Sequence, residues 1–244
     1  MTIGRYIGAM VLSPQSNLHL WQLFTRLGEA QILLPLALAG MLWLFVVGEQ
    51  RAMVLRWGSA LAAATLLTLA SKVAFFGWGI GSAEWDFTCF SGHAMFSAAV
   101  LPVLCWVVGL RLGRAGQQML LLLGLLLASA IGYSRLEVHA HSVSEVVSGF
   151  VLGASVSAFA LYGVDSVRKG PPLYVPLGLL ICLAFSPTHA PAARAHDWVL
   201  QLSVKLSGRV PLYTRQELHR RARLAQPLVW RQCDGLHEVA CNQS

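Results

Sequence analysis

Three short stretches of this chain hold residues whose types and spacing suit chemistry on an anion. In "GYSRLEVHAHSVSEVVSGF", residues 132–150, His141 and Glu145 stand four apart, so on a helix they share one face. A carboxylate there accepts a hydrogen bond from one imidazole nitrogen and fixes the tautomer. The other nitrogen is then free as a nucleophile. Arg135, just upstream, carries a planar fork that matches phosphate oxygens. In "FSGHAMF", residues 90–96, Ser91 and Gly92 open an apolar run, and His93 follows in its first turn. A helix that starts there points backbone N–H groups and a hydroxyl at whatever lies beyond it, a ready anion site. Lys72, near the end of an earlier apolar run, adds a point charge. The set fits phosphoryl transfer. His141 attacks phosphorus and His93 protonates the leaving oxygen. Lys72, Ser91, Gly92 and Arg135 stabilise charge on the transferring group.

The elements that must position these residues follow from composition. The 244 residues are 56% hydrophobic and 12% charged, and mean hydropathy is +0.60. Soluble domains carry about 25% charged residues, so half that value places the chain among membrane proteins. The net charge of +7 does not indicate nucleic acid. The basic residues lie between and beyond apolar runs and form no stripe with interleaved aromatics. Apolar runs at Ala30–Gly48, Leu55–Gly77, Ala94–Leu110, Gln117–Tyr133, Ser142–Val164 and the shorter Leu173–Ser186 predict an all-α, polytopic transmembrane bundle of six spans. Residues 1–29 read as an amphipathic segment on the membrane surface, with Trp21, Leu20 and Phe24 as anchors. Residues 30–186 form the transmembrane catalytic domain, and residues 187–244 a basic tail.

Loop charge sets orientation. Arg51 with Arg56, Arg111 with Arg114, and Arg168 with Lys169 mark three loops as cytoplasmic. The loops at 78–93 and 134–141 then face outward, and all three polar patches fall on that side. The tail holds Arg194, Lys205, Arg209, Arg215, Arg220, Arg221, Arg223 and Arg231. Thr214 with Glu217 makes a capping box, which predicts a short basic helix from about Arg215 to Ala225. Cys233 and Cys241 are close enough in sequence to pair, or stand as two thiols.

Each residue also has an ordinary reading. Lys72 alone would snorkel to the headgroups. Ser91 and Gly92 alone would be a plain helix start. Arg135 alone would anchor a span end. His139 fits neither spacing and reads as a loop residue. Glu84, Asp86 and Glu137 read as solvated loop charges. A rival chemistry would use His93, His139, His141 and Glu145 as zinc ligands. No HExxH is present, and His139 and His141, two apart, fall on different sides of a helix.

The pattern resembles the type-2 phosphatidic acid phosphatase superfamily, integral-membrane lipid phosphatases related to vanadium haloperoxidases. That family's pattern is Lys, six residues, Arg-Pro; then Pro-Ser-Gly-His; then Ser-Arg, five residues, His, three residues, Asp. Here the third part reads Ser134-Arg135, "LEVHA", His141, "SVS", Glu145, with Glu for Asp. The second reads Phe90-Ser91-Gly92-His93, with Phe for Pro. The first keeps Lys72 alone, with Gly79 and Ile80 at the Arg-Pro positions. The resemblance covers about residues 55–165. Without the first Arg a phosphate clamp is lost. Either another cation compensates, a basic residue of the tail being one candidate, or activity is weaker.

The expectation is therefore a membrane phosphatase that hydrolyses a lipid or polyprenyl phosphate or diphosphate through a phosphohistidine. The substrate's apolar tail stays among membrane lipids. Alternatives are a lipid phosphotransferase that passes the phosphoryl group to another acceptor, and a lipid-phosphate-binding protein with weak turnover. No metal or organic cofactor and no nucleic-acid partner is implied, and no feature specifies an oligomer. The expected location is the cell membrane, multi-pass, as in a bacterial inner membrane with the site facing the periplasm or exterior.

Overall fold

The computed structural model describes residues 21–22, 24–48, 50–164 and 191–225. The expected span Leu173–Ser186, the Arg168–Lys169 loop, residues 1–20 and the Cys233–Cys241 pair lie outside the described residues. Within them the chain is helical: α1 (Ala30–Val46), α2 (Arg51–Trp78), α3 (Gly92–Gly109), α4 (Gly113–Glu137), α5 (Val143–Leu161), α6 (Pro191–Ser207) and α7 (Arg215–Ala225). Three helical stretches are long and apolar enough to cross a membrane: Arg51–Trp78, Gly92–Glu137 and Val143–Leu161. α1 is apolar but shorter. The outer flanks carry exposed Leu38, Leu55, Leu66, Leu122, Leu126 and Val151. Water would oppose such a surface, and lipid would not.

The middle stretch folds back on itself. A short 3-10 turn, Leu110–Leu112, leads into Gly113, whose φ of 72° suits glycine. α4 then runs back along α3. A Cβ at Gly124 would sit 2.8 Å from the Leu101 carbonyl oxygen, so the two backbones nearly touch. The hairpin returns Ser134 and Arg135 to the end of the bundle where Ser91 and His93 begin.

α3 is the hub. Leu33 and Leu44 of α1, Trp57 of α2, and Met95, Val100 and Val103 of α3 are buried in one cluster. The Trp57 indole N–H donates to the Ala99 carbonyl at 3.0 Å, which pins α2 to α3. α5 crosses α3 through Gly149 and Gly153. A Cβ at Gly149 would meet the Ser91 carbonyl oxygen at 2.6 Å, and one at Gly153 would overlap that of Met95. Small residues four apart let helix backbones approach in lipid, where packing replaces the hydrophobic drive. The Ser157 hydroxyl adds a bond to the Ala98 carbonyl at 2.5 Å. This crossing sets the start of α5 against the start of α3, and Ser91 N–H donates to the Glu145 carbonyl at 3.1 Å.

α7 spans Arg215–Ala225, as its capping box requires, with Glu217 N–H donating to the Thr214 hydroxyl at 3.3 Å. Asp86 departs from its expected role as a solvated loop charge. A tight turn closed by a bridge between Ser82 and Phe87 presents it to α7, where it pairs with Arg215 and His219, each at 2.7 Å. Burial raises the Asp86 pKa, but the hydrogen bonds from these two partners outweigh it and hold the carboxyl below its usual range.

Candidate active site

Glu145 and His141 are assembled by local structure. Ser142 caps α5, with Glu145 N–H donating to its hydroxyl at 3.4 Å and Ser142 N–H donating back to Glu145 Oε2 at 3.2 Å. This reciprocal capping box holds the Glu145 side chain over the first turn. There its Oε2 accepts from His141 Nδ1 at 2.7 Å. Oε1 accepts from Thr88 N–H at 2.8 Å, from the Thr88 hydroxyl, and from Arg215 Nη2 at 2.7 Å. Glu145 is fully buried, and every named partner is a donor. The group is therefore an acceptor-only carboxylate, and His141 is the Nδ1–H tautomer. Burial pushes the His141 pKa below the ordinary imidazole range, against the upward pull of Glu145, and Lys72 and Arg135 act in the same direction as burial. The ring is thus neutral, with a lone pair on Nε2.

His141 lines a cavity of about 780 Å³. Its wall includes Lys72, Gly92, His93, Arg135, His141 and Glu145. The expected site residues thus converge, apart from Ser91, which is buried directly behind Gly92. The first α3 bond runs from Met95 N–H to the Ser91 carbonyl, so the N–H groups of Gly92, His93 and Ala94 have no helical acceptor. The Lys72 ammonium sits 3.9 Å from where a Cβ of Gly92 would be, and it has no hydrogen-bond or ion-pair partner among the described residues. Two further donors are buried without a partner: Ser91 Oγ and Arg135 Nε. Unsatisfied buried donors cost about 1–3 kcal/mol each. Lys72 and Arg135 both line the cavity, and an anion there would satisfy such donors.

His139 stays outside. It is exposed, has φ 53°, and is absent from the cavity wall. The rival zinc quartet is therefore not assembled. A different trio, Cys89, His141 and Glu145, places its ligand atoms within 4.8 Å of one another. It suits a metal poorly. A guanidinium already sits 2.7 Å from Glu145.

Several wall residues escaped sequence reasoning. Thr25 hydroxyl accepts from Arg135 Nη1 at 2.9 Å, and Gly28 and Glu29 line the same side. The chain just before α1 thus closes over Arg135. Trp21 packs edge-on against Tyr133, with ring centroids 5.6 Å apart. From the tail come His196, Tyr213, Thr214 and Arg215. The one local signal among these was Thr214 with Glu217, which places Arg215 at the start of a helix.

The described residues thus form a helical bundle with three stretches long and apolar enough to cross a membrane, and its cavity carries Lys72, Arg135 and a histidine held by a carboxylate. The chain belongs to the PAP2 superfamily, whose profile matches residues 62–169. This membership suggests a phosphatase. A relative from Klebsiella pneumoniae, an uncharacterized 22.5 kDa protein in the cps region, is 33% identical over 206 residues. The match covers 83% of this chain and 99% of the relative. No solved structure matches the chain.

Proposed function

We propose that this protein is a multi-pass membrane phosphatase that hydrolyses a lipid or polyprenyl phosphate or diphosphate through a phosphohistidine on His141. The observation that carries the reading is the His141 Nδ1–Glu145 contact at 2.7 Å on the wall of a cavity that also holds Lys72, His93 and Arg135. His141 Nε2 attacks phosphorus. The bond to the leaving oxygen breaks, and that oxygen takes a proton from His93. Water then gives a proton back to His93 and attacks the phosphohistidine. Phosphate leaves, and the Nε2 lone pair is restored. Lys72, Arg135 and the N–H groups at the start of α3 hold the three non-bridging oxygens as charge builds on them. Phosphate release from diacyl and polyprenyl phosphates by the purified protein in detergent is the test. Label found on an acceptor other than water would make the protein a phosphotransferase. Tight lipid-phosphate binding with no turnover would make it a binding protein.

This reading predicts that EDTA leaves activity within about two-fold, since cations and N–H groups of the chain supply the charge. Vanadate should inhibit by occupying the cavity in the five-coordinate geometry of the transition state. Strong EDTA inhibition reversed by Zn²⁺ would transfer the site to the Cys89–His141–Glu145 trio.

The reading also requires the loop after α2 and the loop after α4 to lie on one side of the membrane, which the α3–α4 hairpin supports. Single cysteines at Glu84→Cys, Arg114→Cys and Glu137→Cys, in a background without native cysteines, test this on intact cells with a membrane-impermeant thiol reagent. We expect labelling at 84 and 137, and none at 114 until the membrane is opened. Labelling of 84 and 137 from opposite faces would divide the site and end the proposal.

A further inference from the structure

The Arg-Pro positions after Lys72 hold Gly79 and Ile80, and the tail explains what occupies that space. Gly79 ends α2 in the left-handed region, φ 72°. A Cβ there would meet the Tyr213 ring at 2.7 Å. Tyr213 N–H donates at 3.0 Å to the Phe76 carbonyl, near the C-terminal end of α2. The Tyr213 ring is itself gripped by Arg209 and Arg221, at 4.0 and 4.5 Å from its centroid. A side chain at position 79 would expel Tyr213, and the segment that follows it would move away. Two residues on, Arg215 reaches the cavity. Its Nη1 binds the Asp86 carboxylate at 2.7 Å and the Asp86 carbonyl at 2.9 Å, while Nη2 binds Glu145 Oε1 at 2.7 Å. The absent side chain and the docked tail are one structural fact.

We propose that Arg215 is a positioning residue of the active site: carried in by the docked tail, it bridges Asp86 and Glu145 and holds the buried carboxylate that orients His141. The proposal rests on His141 acting as nucleophile. It does not make Arg215 a substitute phosphate clamp, because both terminal nitrogens are committed to the loop and to Glu145. Its effect is electrostatic and runs through Glu145. A buried carboxylate demands a positive partner. With Arg215 in place that demand is met, and His141 donates Nδ1–H while remaining neutral. Without Arg215 the nearest group able to supply charge is His141 itself, which then takes a proton on Nε2 and loses its nucleophilic lone pair.

The other charged and titratable groups around His141 are Lys72 from α2, His93 from α3, Arg135 from α4 and Cys89 from the loop before α3. Glu29 ahead of α1, His196 of α6 and Tyr213 of the segment before α7 also line the wall. Lys72 and Arg135 oppose protonation of His141.

The test is the pH dependence of kcat/KM for wild type, Arg215→Ala and Arg215→Gln, with ¹⁵N imidazole spectra of the full-length protein in detergent. His141 is assigned by its loss in His141→Asn. We expect the acid limb, and the His141 titration seen by NMR, to move up by about one pH unit or more in both variants. Below both titrations activity should fall about ten-fold for each pH unit of that shift, and it should recover to within about three-fold at pH 9. The inhibition constant for vanadate at pH 9 should change less than about three-fold, since Arg215 does not hold phosphate. Arg220→Ala, on the same helix but bound to Glu217 at the surface, should match wild type. Glutamine keeps donors for Asp86 and Glu145 without charge, so it carries the test if the alanine variant does not fold. Equal loss at every pH would make Arg215 a fold anchor only, and a tenfold weaker vanadate constant without a pH shift would make it a phosphate clamp. Either result overturns the proposal, as does an unmoved His141 titration. The NMR titration needs no substrate, so it stands even if the protein turns over no lipid phosphate.

Discussion

His141→Ala is expected to lose turnover by about 10⁴-fold or more, the scale seen when the nucleophile of a coupled catalytic unit is removed. The variant should still fold and insert. His141 sits at the cavity edge with its side chain 14% exposed, and its removal costs Glu145 one of several donors. Ser142 N–H, Thr88 and Arg215 still bind that carboxylate. The stability cost should therefore be about 1–2 kcal/mol, one hydrogen bond to a charged group. The decisive measurement is a phosphoenzyme trap with labelled substrate. Wild type should yield an acid-labile, base-stable protein phosphate, as expected of a phosphorus–nitrogen bond, and His141→Ala should yield none. Turnover above a tenth of wild type in the variant would remove His141 from the nucleophile's role.

His93→Asn should show a loss that depends on the leaving group. His93 stands in the first turn of α3, across the cavity from His141, and the cavity wall includes both. As the proton donor it matters most when the departing oxygen becomes an alkoxide, which cannot leave without a proton. On a lipid phosphate monoester, kcat/KM should fall by about 10²–10⁴-fold, the usual contribution of general acid catalysis. On p-nitrophenyl phosphate, whose leaving group is stable as an anion, the fall should be under about ten-fold. The comparison must use kcat/KM, which reports only steps through departure of the leaving group, because His93 also serves the later attack by water. Equal losses on both substrates would show that His93 binds phosphate and does not transfer a proton.

The sequence by itself determined what is periodic or contiguous. Low charge and long apolar runs placed the chain in lipid. Helical spacing singled out His141 and Glu145 as a pair, although His141 stands just before the Ser142 cap of α5 and meets Glu145 through the capping turn, not across a shared helix face. Ser91-Gly92 marked a helix start beside a cationic patch. Thr214 and Glu217 announced α7, because a capping box acts within one turn. Ser142 and Glu145 form the same kind of box at the start of α5, which the structure shows and the sequence reading did not draw on. The extra methylene of Glu145, relative to the family's aspartate, lets one carboxylate reach the helix start, His141 and Arg215 together.

The tertiary structure decided the rest. Nothing near Gly79 indicates that Tyr213 will fill its space, since the two are brought together only when α6 and α7 dock on the end of α2. Asp86 looked solvated until a residue 129 positions away reached it. Thr88, 57 positions from Glu145, and Thr25, 110 positions from Arg135, are equally silent in the sequence. Local propensity acts over a few residues and carries no record of which distant segment will pack alongside. A buried carboxylate and an unpaired guanidinium find each other through the fold, because leaving either charge alone in a membrane bundle costs more than bringing the tail in to meet it.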